Sequence, residues 1–259
     1  MARLDTQKSA LTLPNNYFQF KQFRIEQTHC AQKVSTDACL LGATADLAGA
    51  TRVLDIGTGT GLLALMAAQR TLGAEIEAVE LDPAAATQAA ANVAASPWAA
   101  RVHVHPLSLA AYAATVPAPL AGAGLQFSHI LCNPPFFRQS LRPPDTARAA
   151  ARHTSNASLT FEDLAAFAAH FLLPLGRLAV LLPPPEMAHF ERAARQAGLH
   201  LLAQLAVRHR PGGRLTRCIW EFGREAAAVS DRELTIEAAD GLGYSPEFRQ
   251  LLEHFYLHL

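Results

Sequence analysis

Asn133-Pro134-Pro135-Phe136 is the segment of this sequence best suited to chemistry. Two consecutive prolines stiffen the chain and remove two amide donors. The Asn133 side-chain oxygen and the Pro134 carbonyl are then left as converging acceptors. Such a pair suits a planar amine, binding its two hydrogens while the nitrogen lone pair faces an electrophilic carbon. Phe136 adds a flat face on which an acceptor can stack, a contact worth about 1–3 kcal/mol for a nucleobase. The plain alternative is a proline-rich turn ending in a core Phe. A second segment, Asp55-Ile56-Gly57-Thr58-Gly59-Thr60-Gly61, has the glycines of a ligand-cradling turn. Glycine lets the backbone turn sharply and approach a ligand, and a following helix N-terminus offers free amides. The loop alone suits several nucleotides. The dinucleotide fingerprint fails, because its sixth position, counted from Gly57, is Leu62. The phosphate-gripping loop fails too, for want of Gly-Lys-Ser/Thr.

These segments need a scaffold, and the chain around them alternates short aliphatic runs with Ala/Leu-rich stretches from Arg52 onward. Strands are expected at Arg52–Ile56, Ile76–Glu80, Val102–His105, Phe127–Cys132, Arg177–Leu182, Leu199–Val207 and Leu215–Phe222. Helices are expected over Gly61–Arg70, Pro83–Ala95, from the Thr160 capping box to about Leu173, and about Pro185–Ala197. This alternation predicts an α/β fold, a seven-stranded, mostly parallel sheet covered on both faces. The last two strands, joined by the Pro211-Gly212-Gly213 turn, predict an antiparallel hairpin at one edge. A small hairpin over Tyr17–Ile25 and a helix from about Asp37 to Ala48 precede the core. A short strand at Leu234–Ile236 and a helix over Pro246–Leu257 follow it. The expected organisation is one domain, with residues 1–50 and 225–259 as extensions of a 51–224 core. Both motifs then fall at the carboxyl edge of the sheet, where open α/β sheets bind ligands.

Composition limits the rest. Among 259 residues, half are apolar, and 22 basic residues balance 22 acidic ones. That balance argues against a general nucleic-acid coat, though not against a local basic face. No run approaches the roughly 18 apolar residues of a membrane span, and Met1–Leu13 lacks a signal-peptide pattern. Cys30, Cys39, Cys132 and Cys218 are too scattered for a disulfide scaffold or a metal site. The expectation is a cytoplasmic monomer without membrane or metal partners.

Asp55, the glycine loop and Glu80, at the end of the second strand, together resemble the S-adenosylmethionine site of Rossmann-like class I methyltransferases. There a carboxylate accepts both ribose hydroxyls. With Asn133–Phe136, the chain resembles amino-methyltransferases carrying an Asn/Asp-Pro-Pro-aromatic motif, which act on adenine, guanine or glutamine amines. The motif gives the reaction class and leaves the acceptor open. Lys33-Val-Ser-Thr36-Asp37-Ala-Cys-Leu-Leu-Gly42, Ser96-Pro-Trp98, Cys132–Phe137 and Tyr244-Ser-Pro with Phe255-Tyr-Leu257 are similar to the bacterial tRNA(Val) adenine N6-methyltransferase family. That resemblance spans about Phe18 to Leu257. It implies S-adenosylmethionine as cofactor, held by Thr36, Asp37, Asp55, Gly57, Thr58, Gly59, Gly61, Glu80, Ser108 and Asn133. It implies Asn133, Pro134 and Phe136 as the reacting-centre residues and tRNA as substrate, methylated on the adenine beside the anticodon. The rival acceptors are a ribosomal RNA guanine and a protein glutamine; a third reading is an RNA-binding protein that keeps the fold without turnover.

Ser108 stands where relatives carry an Asp that accepts from the cofactor's adenine amine, so charge assistance is lost there. Thr36 and Asp37 have an equally good local role as helix caps. Arg138, Arg142, Arg148 and Arg152 lie in a loop of about twenty residues, and Arg210 and Arg214 flank the last hairpin. They are candidate phosphate contacts, which position an RNA without reading its sequence. The plain reading of any one of them is a solvated surface residue, since 19 of the 22 basic residues are Arg.

Overall fold

The computed structural model describes residues 16–30, 32–115, 126–134 and 159–259. Strands β1 (Tyr17–Gln19) and β2 (Arg24–Glu26) form a small antiparallel ribbon, followed by helix α1 (Thr36–Thr44). The main body then runs β3 (Arg52–Ile56), α2 (Leu62–Arg70), β4 (Glu75–Val79), α3 (Pro83–Ala94), β5 (Val102–His105), α4 (Leu109–Thr115) and β6 (Phe127–Cys132). It continues with α5 (Phe161–Phe171), β7 (Leu172–Leu182), α6 (Pro184–Gln196), β8 (His200–Arg208), β9 (Leu215–Gly223), β10 (Ser230–Thr235) and α7 (Pro246–Leu252).

The eight strands of the sheet lie in the order β10-β8-β9-β7-β6-β3-β4-β5, and only β9 runs antiparallel to its neighbours. Period-two alternation divides the central strands between two apolar layers. Leu54, Ile56, Ile130, Cys132, Leu178, Val180 and Leu182 face α4, α5 and α6. Val53, Leu131, Ala179 and Leu181 face α1, α2, α7 and the ribbon. Every residue of β6 is buried, as expected of a strand covered on both sides.

Three features differ from the sequence expectation. The hairpin partner β9 is inserted between β7 and β8, and β10 extends the sheet beyond β8 as an eighth, parallel strand. Its Ser230, Asp231, Arg232 and Glu233 are exposed, with Leu234 buried, so a charged outer edge resists further pairing. Strand β7 starts at Leu172, directly after α5, rather than at Arg177. Its first half carries Pro174 and a register shift against β6, the kind of irregularity that tolerates proline in a sheet. Helix α4 was not expected; the Ser108 hydroxyl accepts from Ala111 N at 3.1 Å and starts it.

The two described ends of the chain meet. Lys21 N donates to the Phe255 carbonyl at 2.8 Å, Phe20 bridges to Tyr256, and the Phe18, Phe20 and Tyr256 rings pack together. At the opposite edge of the sheet from the glycine loop, Glu221 of β9 is 4% exposed. Its carboxylate accepts from Arg177 Nη1 at 2.9 Å and from Asp46 N at 2.8 Å. Burial raises its pKa against the opposing pull of those two bonds. Glu221→Ala strands a half-buried guanidinium and a backbone amide, and is expected to cost about 2–3 kcal/mol of stability. A urea midpoint unchanged from wild type would contradict this pin.

Candidate active site

The site forms where β3, β4 and β6 end side by side. Beyond Ile56, Gly57 and Gly59 take φ of 71° and 56°, left-handed values that an L side chain rarely adopts. Added Cβ atoms at either would meet nothing within 4 Å, so conformation, not packing, demands glycine there. Gly57 N and Thr58 N both donate to the Val79 carbonyl, at 2.8 and 3.1 Å, which fastens the loop to the end of β4. Asp55 is fully buried beneath the loop. Its Oδ2 accepts from the Thr58 hydroxyl at 2.5 Å and from Ala64 N of α2 at 3.1 Å. Its Oδ1 is buried with no partner among the described residues. Burial pushes the Asp55 carboxyl up to about 7; the Thr58 and Ala64 bonds pull it down in part, and Glu80 adds to the rise.

Glu80 follows β4 directly. Its Oε2 accepts from Gly59 N at 2.8 Å, and its Oε1 from Asp82 N at 2.9 Å. Each oxygen keeps a lone pair for a further donor, so a vicinal diol fits here. Asp82 in turn caps α3, accepting from Ala84 N at 2.8 Å, with Pro83 at the first helical position.

A cavity of about 250 Å³ opens beside the loop. Gly57, Thr58, Gly59 and Thr60 form one wall, the segment from Gln32 to Ala38 the other, and Asn133 stands on the rim. Asn133 and the buried Pro134 follow β6 immediately. Gly61 ends the loop as N-cap of α2, with φ of 84°. Neither Asp55 nor Glu80 lines this cavity: Asp55 is buried beneath the loop, and the half-buried Glu80 is bonded to the loop at Gly59 N. Among the expected binding residues, Asp37 lines the cavity and is paired with Arg217 Nε at 2.7 Å. Thr36 does not line it, and shares a hydrogen bond with Tyr256 instead. Neither Thr36 nor Asp37 caps α1: Ser35 does, its hydroxyl accepting from Ala38 N at 3.2 Å. Ser108 lies outside the cavity lining, at the start of α4. Phe136, Arg138, Arg142, Arg148 and Arg152 lie outside the described residues.

Arg210 and Arg214 sit on the β8–β9 turn, which the strand directions bring to this same edge. Arg210 Nε is bonded to Glu237 at 2.9 Å, whereas Arg214 is exposed with no carboxylate partner among the described residues. Arg217, one of the arginines around the last hairpin, does not itself line the cavity; the fold brings it to Asp37, which does. A larger cavity, about 730 Å³, opens near Gln69, Leu234 and Leu251, and neither the glycine loop nor Asn133 borders it.

The arrangement fits S-adenosylmethionine: an open glycine cradle, a carboxylate with spare acceptor capacity, and a polar rim bearing Asn133. One consequence is measurable. Since the folded Asp55 carboxyl titrates near 7 and its ordinary value is 3.8, the folded chain holds this proton more tightly than the unfolded chain. The resulting stability is complete below pH 3.8 and is lost as pH rises through about 7. Asp55→Asn, which cannot ionise, is expected to gain on wild type by roughly a few kcal/mol between about pH 4 and pH 8. Parallel urea-midpoint curves for the two proteins would contradict that account.

Residues 26–160 match the family model of the methyltransferase small domain. Over 242 residues the chain is 41% identical to the tRNA1(Val) (adenine(37)-N6)-methyltransferase of Yersinia pseudotuberculosis serotype O:3 (strain YPIII), covering 93% of this chain and 92% of that one. The protein of the same name from Yersinia pestis (strain Pestoides F) is also 41% identical, over 93% of this chain and 94% of its own length. Among solved structures, Atu636, a predicted O-methyltransferase from Agrobacterium tumefaciens, superposes with a TM-score of 0.62 at 21% identity. That match covers 85% of this chain and 96% of the other, and shows the shared Rossmann-like fold. The chain belongs to the methyltransferase small-domain family, among the S-adenosylmethionine-dependent enzymes whose relatives carry the tRNA1(Val) adenine N6-methyltransferase name.

Proposed function

We propose that this chain methylates the exocyclic N6 amine of adenine 37, beside the anticodon, in tRNA1(Val), acting in the cytoplasm as a monomer. The observation that carries the reading is the position of Asn133, on the rim of the glycine-loop cavity, in a chain 41% identical to relatives of that name. The bound cofactor supplies an electrophilic methyl carbon on a charged sulfur. Glu80 and the backbone of Gly57 to Thr60 hold its nucleoside end, and the Lys33–Ala38 wall, with Asp37 fixed by Arg217, flanks the rest. Asn133 Oδ1 and the Pro134 carbonyl accept the two amine hydrogens, leaving the lone pair aimed into the cavity. They also stabilise the charge that grows on nitrogen as the bond forms. No strong base is required beforehand, because the amine becomes acidic only once methylated, and the proton it then sheds passes to solvent at the cavity mouth. Proximity is the main contribution of the protein, about 7–11 kcal/mol when alignment is good. The adenine leaves its stack, which costs a few kcal/mol, and Phe136 offsets part of that by stacking.

Charge on the docking edge is largely compensated. Arg208 is paired with Glu233 at 3.0 Å, and Glu237 holds both His209, at 3.0 Å, and Arg210. In this reading Arg214 supplies phosphate attraction from the described part of this edge, and Arg138, Arg142, Arg148 and Arg152, outside the described residues, are further candidate contacts.

Incubation with labelled cofactor and separate pools of tRNA, ribosomal RNA and protein, followed by nucleoside mass spectrometry, is expected to give N6-methyladenosine from tRNA alone. Methylguanosine from ribosomal RNA, or methylglutamine from protein, would overturn the acceptor. Asn133→Ala is expected to lower methyl transfer by about 10²–10³-fold or more, with cofactor binding by calorimetry close to wild type. Retained turnover would remove Asn133 from its role. Arg214→Ala is expected to weaken tRNA binding several-fold and to flatten its salt dependence by about one unit of slope at most. Arg210→Ala, already held by Glu237, is expected to change both less; equal effects in a filter-binding titration would count against the pairing argument.

A further inference from the structure

Asn92 lies on α3, 3% exposed, beneath the glycine loop. Its amide is fully committed. Oδ1 accepts from Glu26 N at 2.9 Å, and Nδ2 donates to the Glu26 carbonyl at 2.8 Å and to the Thr60 carbonyl at 2.9 Å. Two carbonyls and one N–H as partners fix which end of the amide is nitrogen. One turn earlier on the same helix, Ala89 lies close to the end of the loop: a Cβ added to Gly61 would lie 3.5 Å from that of Ala89. Glu26 ends β2, and the chain runs from it into the opposite wall of the cavity. That run is pinned a second time, where Gln27 Oε1 accepts from Val34 N at 2.9 Å. Thr60 and Val34 both line the cavity. The two walls, far apart in sequence, are thus tied to one buried amide that does not itself border the cavity.

We propose that Asn92 is a positioning residue for the cofactor: by holding the Thr60 carbonyl and the Glu26 peptide in fixed relation, it sets the spacing between the glycine loop and the Lys33–Ala38 wall. The role concerns cofactor binding and is independent of which amine is methylated. Aspartate at this position keeps the acceptor for Glu26 N but sets a carboxylate against two carbonyls. Alanine leaves all three backbone groups without their partner.

The test compares Asn92→Asp and Asn92→Ala with Met187→Ala, a cavity-forming change in the apolar layer on the other side of the sheet. Each protein is titrated with S-adenosylmethionine by calorimetry well below its own melting midpoint, and assayed over a range of cofactor concentrations. The Asn92 variants are expected to raise the cofactor dissociation constant and KM about tenfold or more, with kcat at saturating cofactor near wild type. Met187→Ala is expected to lower the melting midpoint while leaving the cofactor constant alone. Should neither Asn92 variant fold, Gln27→Ala removes the second pin and is expected to weaken cofactor binding in the same direction. Wild-type cofactor affinity in the folded variants, or a Met187→Ala change equal to theirs, would overturn the proposal. Failure of the wild-type protein to methylate tRNA while it binds the cofactor would count against the acceptor reading and leave the Asn92 proposal to be decided by the cofactor titrations.

Discussion

A carboxyl group with no access to water holds the working edge of this protein together. Asp55 occupies the penultimate position of β3, on the side that faces α2, and one of its oxygens accepts from both Thr58 and Ala64. The strand, the loop and the helix therefore converge on a single atom. Desolvating a carboxyl is expensive, and two hydrogen bonds offset only part of that cost, which is why its proton affinity rises. What the chain gains is a loop whose shape is set before any ligand arrives. The Val79 carbonyl, taking two amides from the same loop, reinforces this from the neighbouring strand.

Much of this was legible in the sequence, and for identifiable reasons. Val53, Leu54 and Ile56 of β3 and Ile130, Leu131 and Cys132 of β6 mark strands buried on both faces, so the ends at Gly57 and Asn133 had to share an edge. The glycines announced their backbone geometry, and Glu80 its position one residue past β4. What escaped has physical causes too. A hairpin pattern shows that β8 and β9 pair, but not on which side of the pair the sheet continues. Strand β10 was expected only as a short strand at Leu234–Ile236, because Ser230 to Glu233 are polar and take strand form only when β8 is there to pair with them. Helix α4 is a single short stretch started by Ser108, a residue that resemblance had placed in cofactor recognition. Ser35, Thr36 and Asp37 are three adjacent residues that all cap well, and only the geometry selects the first. The Asp37–Arg217 and Asn92–Glu26 contacts join distant segments, which no local spacing reveals.

The electrostatics of the same edge are frugal. Glu233 and Glu237 answer the cations of the β8–β9 turn, and Arg217 is spent on Asp37. This matches a chain whose formal charges cancel overall. Long-range attraction toward a polyanion is correspondingly modest, and among the described residues Arg214 is the cation of this turn left without a carboxylate partner.

The contact between the β1–β2 ribbon and Phe255–Tyr256 bears on how the protein tolerates damage. Phe255 and Tyr256 grip the β1–β2 ribbon, and Tyr256 also bonds with Thr36, next to the cap of α1. Phe255 and Tyr256 thereby brace the segment that becomes one wall of the glycine-loop cavity. Loss of Phe255 and Tyr256 would slacken that wall from behind, so damage at these two rings, remote from the glycine loop in sequence, reaches the cavity through the ribbon and α1.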